Sequence, residues 1–356
     1  MKILDAGPVV GDAGVTFRVR DPDRELAGVR LLQEVRRPRV GPPFERRDGA
    51  WELRFPLAGA DRMEYRLELT RADGTTEVVC DPANPRRAPG PFGDKSVVEL
   101  PAYRPPEWVG REPAARGHVS RLDVPSAALG ATITVELWSS PGAGAGDRLP
   151  LLVAHDGPEY ARLSALTHLL DVHVGDGTLP PMRAALLPPV DRDRDYSASP
   201  AYARALTHEV LPALAARAPV PEGRAMRVGM GASLGALAML HAHRSAPASL
   251  GALFLQSGSF FRHRFDAHES GFTRFRRVAR FVGRVDAAES WPHSVPVAMT
   301  CGAIEENLAN NRATRAALAR QGYDVALHEV RDGHNWIAWR DAFVPPLLHL
   351  LRRTWT

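Results

Sequence analysis

The spacing of apolar residues along this chain changes once, and the change divides it. From residue 14 to about residue 100, apolar and polar positions alternate in short runs. The runs are GVTFRVRDP (14–22), AGVRLLQEV (27–35), GAWELRFPL (49–57), MEYRLELT (63–70) and TTEVVCDP (75–82). A period of two over runs this short predicts half-buried strands. Asp-Gly falls at 48–49 and again at 73–74, a pair suited to the positive-φ positions of a tight hairpin. No helical period intrudes, and roughly 100 residues suit one β-sandwich of immunoglobulin-like (E-set) type. Residues 88–113 are rich in Pro and Gly and read as a last strand running into a linker. The expected division is 1–110 and 111–356.

From residue 118 strands and helices alternate. HVSRLDVP (118–125) and TITVELWSSP (132–141) form an opening hairpin. The runs at 149–157, 182–190, 249–258 and 295–302 are almost continuously apolar, as strands covered on both faces must be. A further strand is expected at 324–330. Helices are expected across Tyr160 to Leu170, from Tyr202 to Ala216, after residue 233, at 310–322 and in the terminal 336–355, where Pro345 and Pro346 interrupt or restart the turn. Residues 256–295 are an insertion where a cap is expected.

One stretch organises this half. RVGMGASLGALAMLH (227–241) reads as strand, tight turn and helix, with Gly231-Ala232-Ser233-Leu234-Gly235 at the turn. This is G-x-S-x-G, the nucleophile elbow of the α/β-hydrolase fold. Such a turn lifts a serine hydroxyl clear of the sheet, and glycines on either side remove side chains that would collide. The N–H of Leu234 then opens the helix as an oxyanion donor. The fold places an acid and then a histidine in loops after later strands. Glu305 follows the strand at 295–302 and leads as the acid, ahead of Glu306, with Asp332 third. His334 follows the strand at 324–330 and is the candidate base.

Composition changes this picture little. The net charge of +4 in 356 residues comes without a long basic block, which argues against a nucleic-acid partner and permits a small anionic ligand. The two cysteines, Cys80 and Cys301, form no CxxC, so neither a zinc site nor a disulfide framework is expected. No stretch is apolar enough to span a bilayer, and MKILDAGPVV lacks a leader pattern. The expectation is a cytoplasmic protein without metal or cofactor; nothing here sets its oligomeric state. In the first module, Trp51, Tyr65 and Phe92 look like core and turn residues rather than a sugar-binding face. Between 256 and 295, Arg262, Arg264, Arg274, Arg276, Arg277, Arg280 and Arg284 would suit carboxylates, phosphates or catecholates, or simply a solvated helix face.

Four passages together resemble the enterochelin (enterobactin) esterase family: HDGPEY (155–160), RDRDYSASPAY (192–202) with HEVLP behind it, GMGASLGALA (229–238), and CGAIEENLANN (301–311) with DGHNWIAWR (332–340). The resemblance implies a serine esterase working through an acyl-enzyme, with Ser233 as nucleophile, Glu305 as acid and His334 as base. It implies a siderophore ester as substrate, with an acyl or feruloyl ester on a glycan as the alternative, or a catalytically weak ligand-binding protein. Asp156, Gly157, Arg192, Asp195 and Trp336 are the substrate-binding candidates it brings. One position departs: the residue expected to give the second oxyanion N–H is Pro158, which has none.

Overall fold

A computed structural model describes residues 7–11, 14–35 and 39–355; the first six residues of MKILDAGPVV lie outside the described ones. The chain folds as two compact units, each drawing on more than one stretch of sequence.

The first unit comprises Met1–Arg104 together with two later pieces, Gly302–Glu306 and Val330–Ala338. Its early part is the β-sandwich that the alternating runs predict. One sheet holds Val9–Gly11, Gly14–Arg20, Ala50–Phe55 and Glu45–Arg47, in that order. The other runs Val40–Pro43, Leu26–Gln33, Arg62–Arg71, Lys95–Glu99 and Arg87–Ala88, with Thr76–Val79 also on Arg62–Arg71. Alternate residues of both sheets face inward, so Val15, Phe17 and Phe55 pack with Leu31, Tyr65 and Leu67 in one apolar core. Asp48 and Gly49 both take positive φ, 47° and 73°, and turn Arg47 back onto Ala50. Tyr65 belongs to the core, Trp51 bonds to Asp21 at its margin, and Phe92 is exposed in a turn.

The second unit comprises Pro105–Cys301, Asn307–Glu329 and Trp339–Thr356. It is built on an eight-stranded sheet: β1 (His118–Ser126), β2 (Ala131–Ser139), β3 (Leu151–His155), β4 (Arg183–Leu187), β5 (Arg227–Ala232), β6 (Ala252–Gln256), β7 (Val297–Gly302) and β8 (Val325–Val330). Their spatial order is β1-β2-β4-β3-β5-β6-β7-β8. β1, β2 and β4 pair antiparallel, whereas β3 pairs parallel with β4 and β5, and β6 pairs parallel with β5 and β7. Every residue of β3, β4, β6 and β7 is buried, which is why these runs carry no polar alternation. This is the α/β-hydrolase sheet, and β5 at its centre leads into the elbow.

Two helices differ from their expected form. The one expected from Tyr160 breaks into Gly157–Leu163 and Leu166–Gly175, because Ala165 adopts φ 52° between them. The one expected from Tyr202 begins at Pro200, widens into a π-turn over Ala205–Val210 and resumes at Leu211–Arg217. Pro346 opens the terminal helix, Pro346–Trp355. Among the described residues no helix is long and apolar enough to cross a membrane.

Candidate active site

Ser233 stands at φ 56° and ψ −123°, a backbone region that costs a non-glycine residue about 1–3 kcal/mol and persists only when its surroundings impose it. The surroundings are visible. The Ser233 N–H donates to the Gln256 carbonyl at 2.9 Å, and its own carbonyl accepts from Leu237 at 3.3 Å and Ser259 at 3.1 Å. A Cβ on Gly231 would meet the Gly235 carbonyl at 2.6 Å; one on Gly235 would press on His155 Cβ at 3.2 Å and Asp156 Oδ2 at 3.3 Å. Leu234 is the first residue of the helix Leu234–Ser245, so its N–H has no acceptor within the helix.

Beneath the serine lies a polar relay. Gln256 accepts from the Tyr160 hydroxyl at 2.8 Å and donates to Thr300 Oγ1 and the Trp339 carbonyl; the Trp339 indole donates to Ser257 Oγ. Beside it the Ser259 hydroxyl lies 3.0 Å from Ser233 Oγ, a partner that the sequence reading missed. QSGSFF marks that loop only as the end of a strand.

Of the substrate-binding candidates, Asp156 and Arg192 meet. The guanidinium grips the buried carboxylate from both Nε and Nη2, at 3.0 Å and 2.9 Å, and Arg192 keeps a partly exposed outer side. Asp156 itself turns at φ 50°. Gly157 follows it, and a Cβ there would lie 2.2 Å from Leu186 Cα. Pro158 occupies the first turn of Gly157–Leu163, where a missing N–H costs the helix nothing. Asp195 is fully buried and accepts from the Asp191 N–H and the Arg194 side chain, so it braces its loop and presents no carboxylate to solvent. Next to these, burial pushes His155 down to about 4 against the pull of the Gly235 carbonyl; it is a neutral packing residue, stacked on Tyr196.

The arginines between 256 and 295 divide. Arg262 is buried and held by Asp286, two carbonyls and Thr314. Arg277 donates to the carbonyls of Ser197 and Arg194. Arg276, Arg280 and Arg284 lie exposed along Phe275–Ala287.

In the first unit, His334 Nδ1 lies 2.8 Å from Glu305 Oε2, and Glu305 Oε1 accepts the Gly302 N–H at 2.7 Å. Gly302 has to be glycine, since a Cβ would sit 2.2 Å from the Asp332 carbonyl. Glu306 points elsewhere and pairs with Arg39. Asp332 bonds to Gly333, Asn335 and Arg62 and not to His334. Burial raises its carboxyl to about 6, opposed by the Arg62 charge and those two donors. Trp336 is half-buried at the start of its helix, Trp336–Asp341.

A family model described as "Putative esterase" matches residues 126–350. The chain belongs to this esterase family and is a carboxylic ester hydrolase. It is 25% identical to an iron(III) enterobactin esterase of Escherichia coli O6:H1 over 83% of its own length and 72% of the relative's. It is 28% identical to one of Dickeya dadantii over 57% of its length and 48% of that chain. Among solved structures, the enterochelin esterase of Shigella flexneri superposes with a TM-score of 0.77 at 22% identity, covering 99% of this chain and 97% of that one. A ferulic acid esterase superposes over 67% of this chain and 98% of its own, with a TM-score of 0.56 at 17% identity. Both likenesses are likenesses of fold; the first spans nearly the whole chain and the second about two thirds of it.

Proposed function

We propose that the chain hydrolyses the ester bonds of a catecholate siderophore, carried as its ferric complex, through a Ser233–His334–Glu305 triad. The observation that carries the reading is the His334–Glu305 hydrogen bond, on the loops after β7 and β8, in a chain whose β5 ends in a strained serine. Glu305 has one oxygen fixed by the Gly302 N–H and the other on Nδ1. That arrangement keeps the proton on Nδ1 and leaves Nε2 as the base.

On this reading Nε2 takes the Ser233 proton as Oγ attacks the carbonyl carbon. The carbonyl π-pair moves to oxygen and is received by the Leu234 N–H. Collapse expels the alcohol, which takes its proton from His334, and leaves an acyl-enzyme. Water, giving its proton to Nε2, repeats the cycle and releases the acid. With proline at 158, we assign the second oxyanion donor to the Glu159 N–H in the same helical turn.

The substrate class rests on the relatives' names and on the exposed arginines, which suit an anionic catecholate. We place the reaction in the cytoplasm, in keeping with two cysteines that form no disulfide with each other. The test is a side-by-side assay of a ferric catecholate triester, a feruloyl sugar and p-nitrophenyl butyrate, with Ser233→Ala as control. Fastest turnover of the catecholate ester, lost in the variant, is expected. Preference for the feruloyl sugar would overturn the substrate, and full activity in Ser233→Ala would overturn the triad.

A further inference from the structure

Arg62 is a sandwich residue, the first of the strand Arg62–Arg71, and its side chain is buried. A buried guanidinium requires partners for its charge and its donors. Glu64, two residues along and on the same face of the strand, takes Nη2 at 2.7 Å. The remaining partners come from the loop that carries His334: Nη1 donates to Asn335 Oδ1 at 3.1 Å and to Asp332 Oδ2 at 3.5 Å. Those two residues flank the histidine and do not leave it slack. Asp332 Oδ1 accepts the Gly333 N–H at 2.6 Å and the Asn335 amide at 2.9 Å, and Asn335 Oδ1 accepts the Ala338 N–H at 2.8 Å. The residue before Arg62 completes the clasp. The Asp61 N–H donates to the Arg331 carbonyl at 2.8 Å and its carboxylate accepts from Arg331 Nε at 2.9 Å.

We infer that Arg62 is a positioning residue for the base: through Asp332 and Asn335 it fixes the 331–335 loop so that His334 Nδ1 stays on Glu305. The inference rests on the triad reading above. It gives the N-terminal module a catalytic duty that neither its fold nor its sequence pattern announces. Arg62 touches neither substrate nor the reacting atoms. Its effect passes through the histidine, and an ångström of misplacement there is enough to cost about 10²-fold in rate.

The test uses the full chain with Arg62→Lys and Arg62→Met, assayed on p-nitrophenyl butyrate with rates normalised to folded protein by near-UV circular dichroism. Arg62→Met is expected to lose about 10²-fold in kcat with KM within twofold, and Arg62→Lys, which keeps the charge but not the fork, to recover about tenfold of that. The downfield imidazole N–H proton resonance of the His334–Glu305 bond should broaden in both variants. If Arg62→Met fails to fold, Arg62→Lys decides alone: wild-type kcat and an unchanged resonance would overturn the inference. So would a loss in either variant that disappears on normalising to folded protein. His334→Ala separates the two readings. Wild-type rates in that variant would overturn the triad and the inference with it. An inactive His334→Ala beside an unaffected Arg62→Lys would overturn the inference alone.

Discussion

His334 Nδ1 and Glu305 Oε2 are 2.8 Å apart, and the other Glu305 oxygen is already taken by the Gly302 N–H. Both oxygens are acceptors, so an amide in their place must turn its NH2 against one of two donors. Glu305→Gln is therefore expected to fold and to lose about 10³–10⁴ in kcat. Glu306→Gln, which disturbs the pair with Arg39, should stay within threefold of wild type in the same assay. The reverse ranking would move the acid by one residue.

The elbow glycines are not equivalent. Gly231→Ala drives a Cβ into backbone at 2.6 Å, whereas Gly235→Ala presses on a side chain at 3.2 Å. Overpacking of the first kind costs about 1–3 kcal/mol or more. Thermal melts should show Gly231→Ala clearly below Gly235→Ala in stability, with activity following the same order.

Asp332 supplies a pH dependence whose sign is fixed. Its folded-state carboxyl is raised from 3.8 to about 6, so between those values the folded chain binds more protons than the unfolded one. Its contribution is thus present below pH 4 and is lost as pH rises through 6. Asp332→Asn has no carboxyl to titrate. Urea melts at pH 4 and pH 6.5 should show the variant gaining about 2–3 kcal/mol on wild type over that interval. A gap that stays constant would show that Asp332 does not titrate there.

Arginines of the 256–295 stretch should separate into two kinds. Arg262→Ala removes the buried donors held by Asp286, Thr314 and two carbonyls and is expected to cost about 1–3 kcal/mol and to lower turnover of neutral and anionic esters alike. Arg280→Ala with Arg284→Ala should leave the melt unchanged and raise KM for the catecholate ester, an effect that added salt imitates. Equal losses on a neutral ester would make the exposed pair structural.

Pro158→Leu adds an N–H and frees a backbone that proline fixes in the first turn of Gly157–Leu163. With the Glu159 N–H as second donor, kcat should be unchanged or lower. A rise approaching 10²-fold would show that the oxyanion had been one donor short.

The sequence made the elbow legible because its glycines answer local collisions: Gly231 and Gly235 meet backbone and side chains within a few residues or on the adjacent strand. The change from period two to continuous apolar runs likewise disclosed the sandwich and the covered sheet. Glu305 was separable from Glu306 only by rank, since both follow β7; what distinguishes them in space is Arg39, far earlier in the chain. The break at Ala165 left no trace, because an alanine in an apolar run carries no sign of positive φ. Arg262 read as one charge among many, and only its bonds to Asp286 and Thr314 show it to be interior.

Arg62 and Asp332 are separated by 270 positions, and that distance bears on how the protein comes into being. Closing so long a span is entropically slow compared with local pairing. The sandwich is synthesised first, yet its Arg62 has no loop to grip until nearly the whole chain has emerged. Until then Arg62 has Glu64 as its one carboxylate partner, and the groups that take its Nη1 have not been made. On the triad proposed above, hydrolytic competence accordingly waits for the 331–335 loop to be made and seated, and a nascent chain that stops short of it carries the elbow without its proposed base.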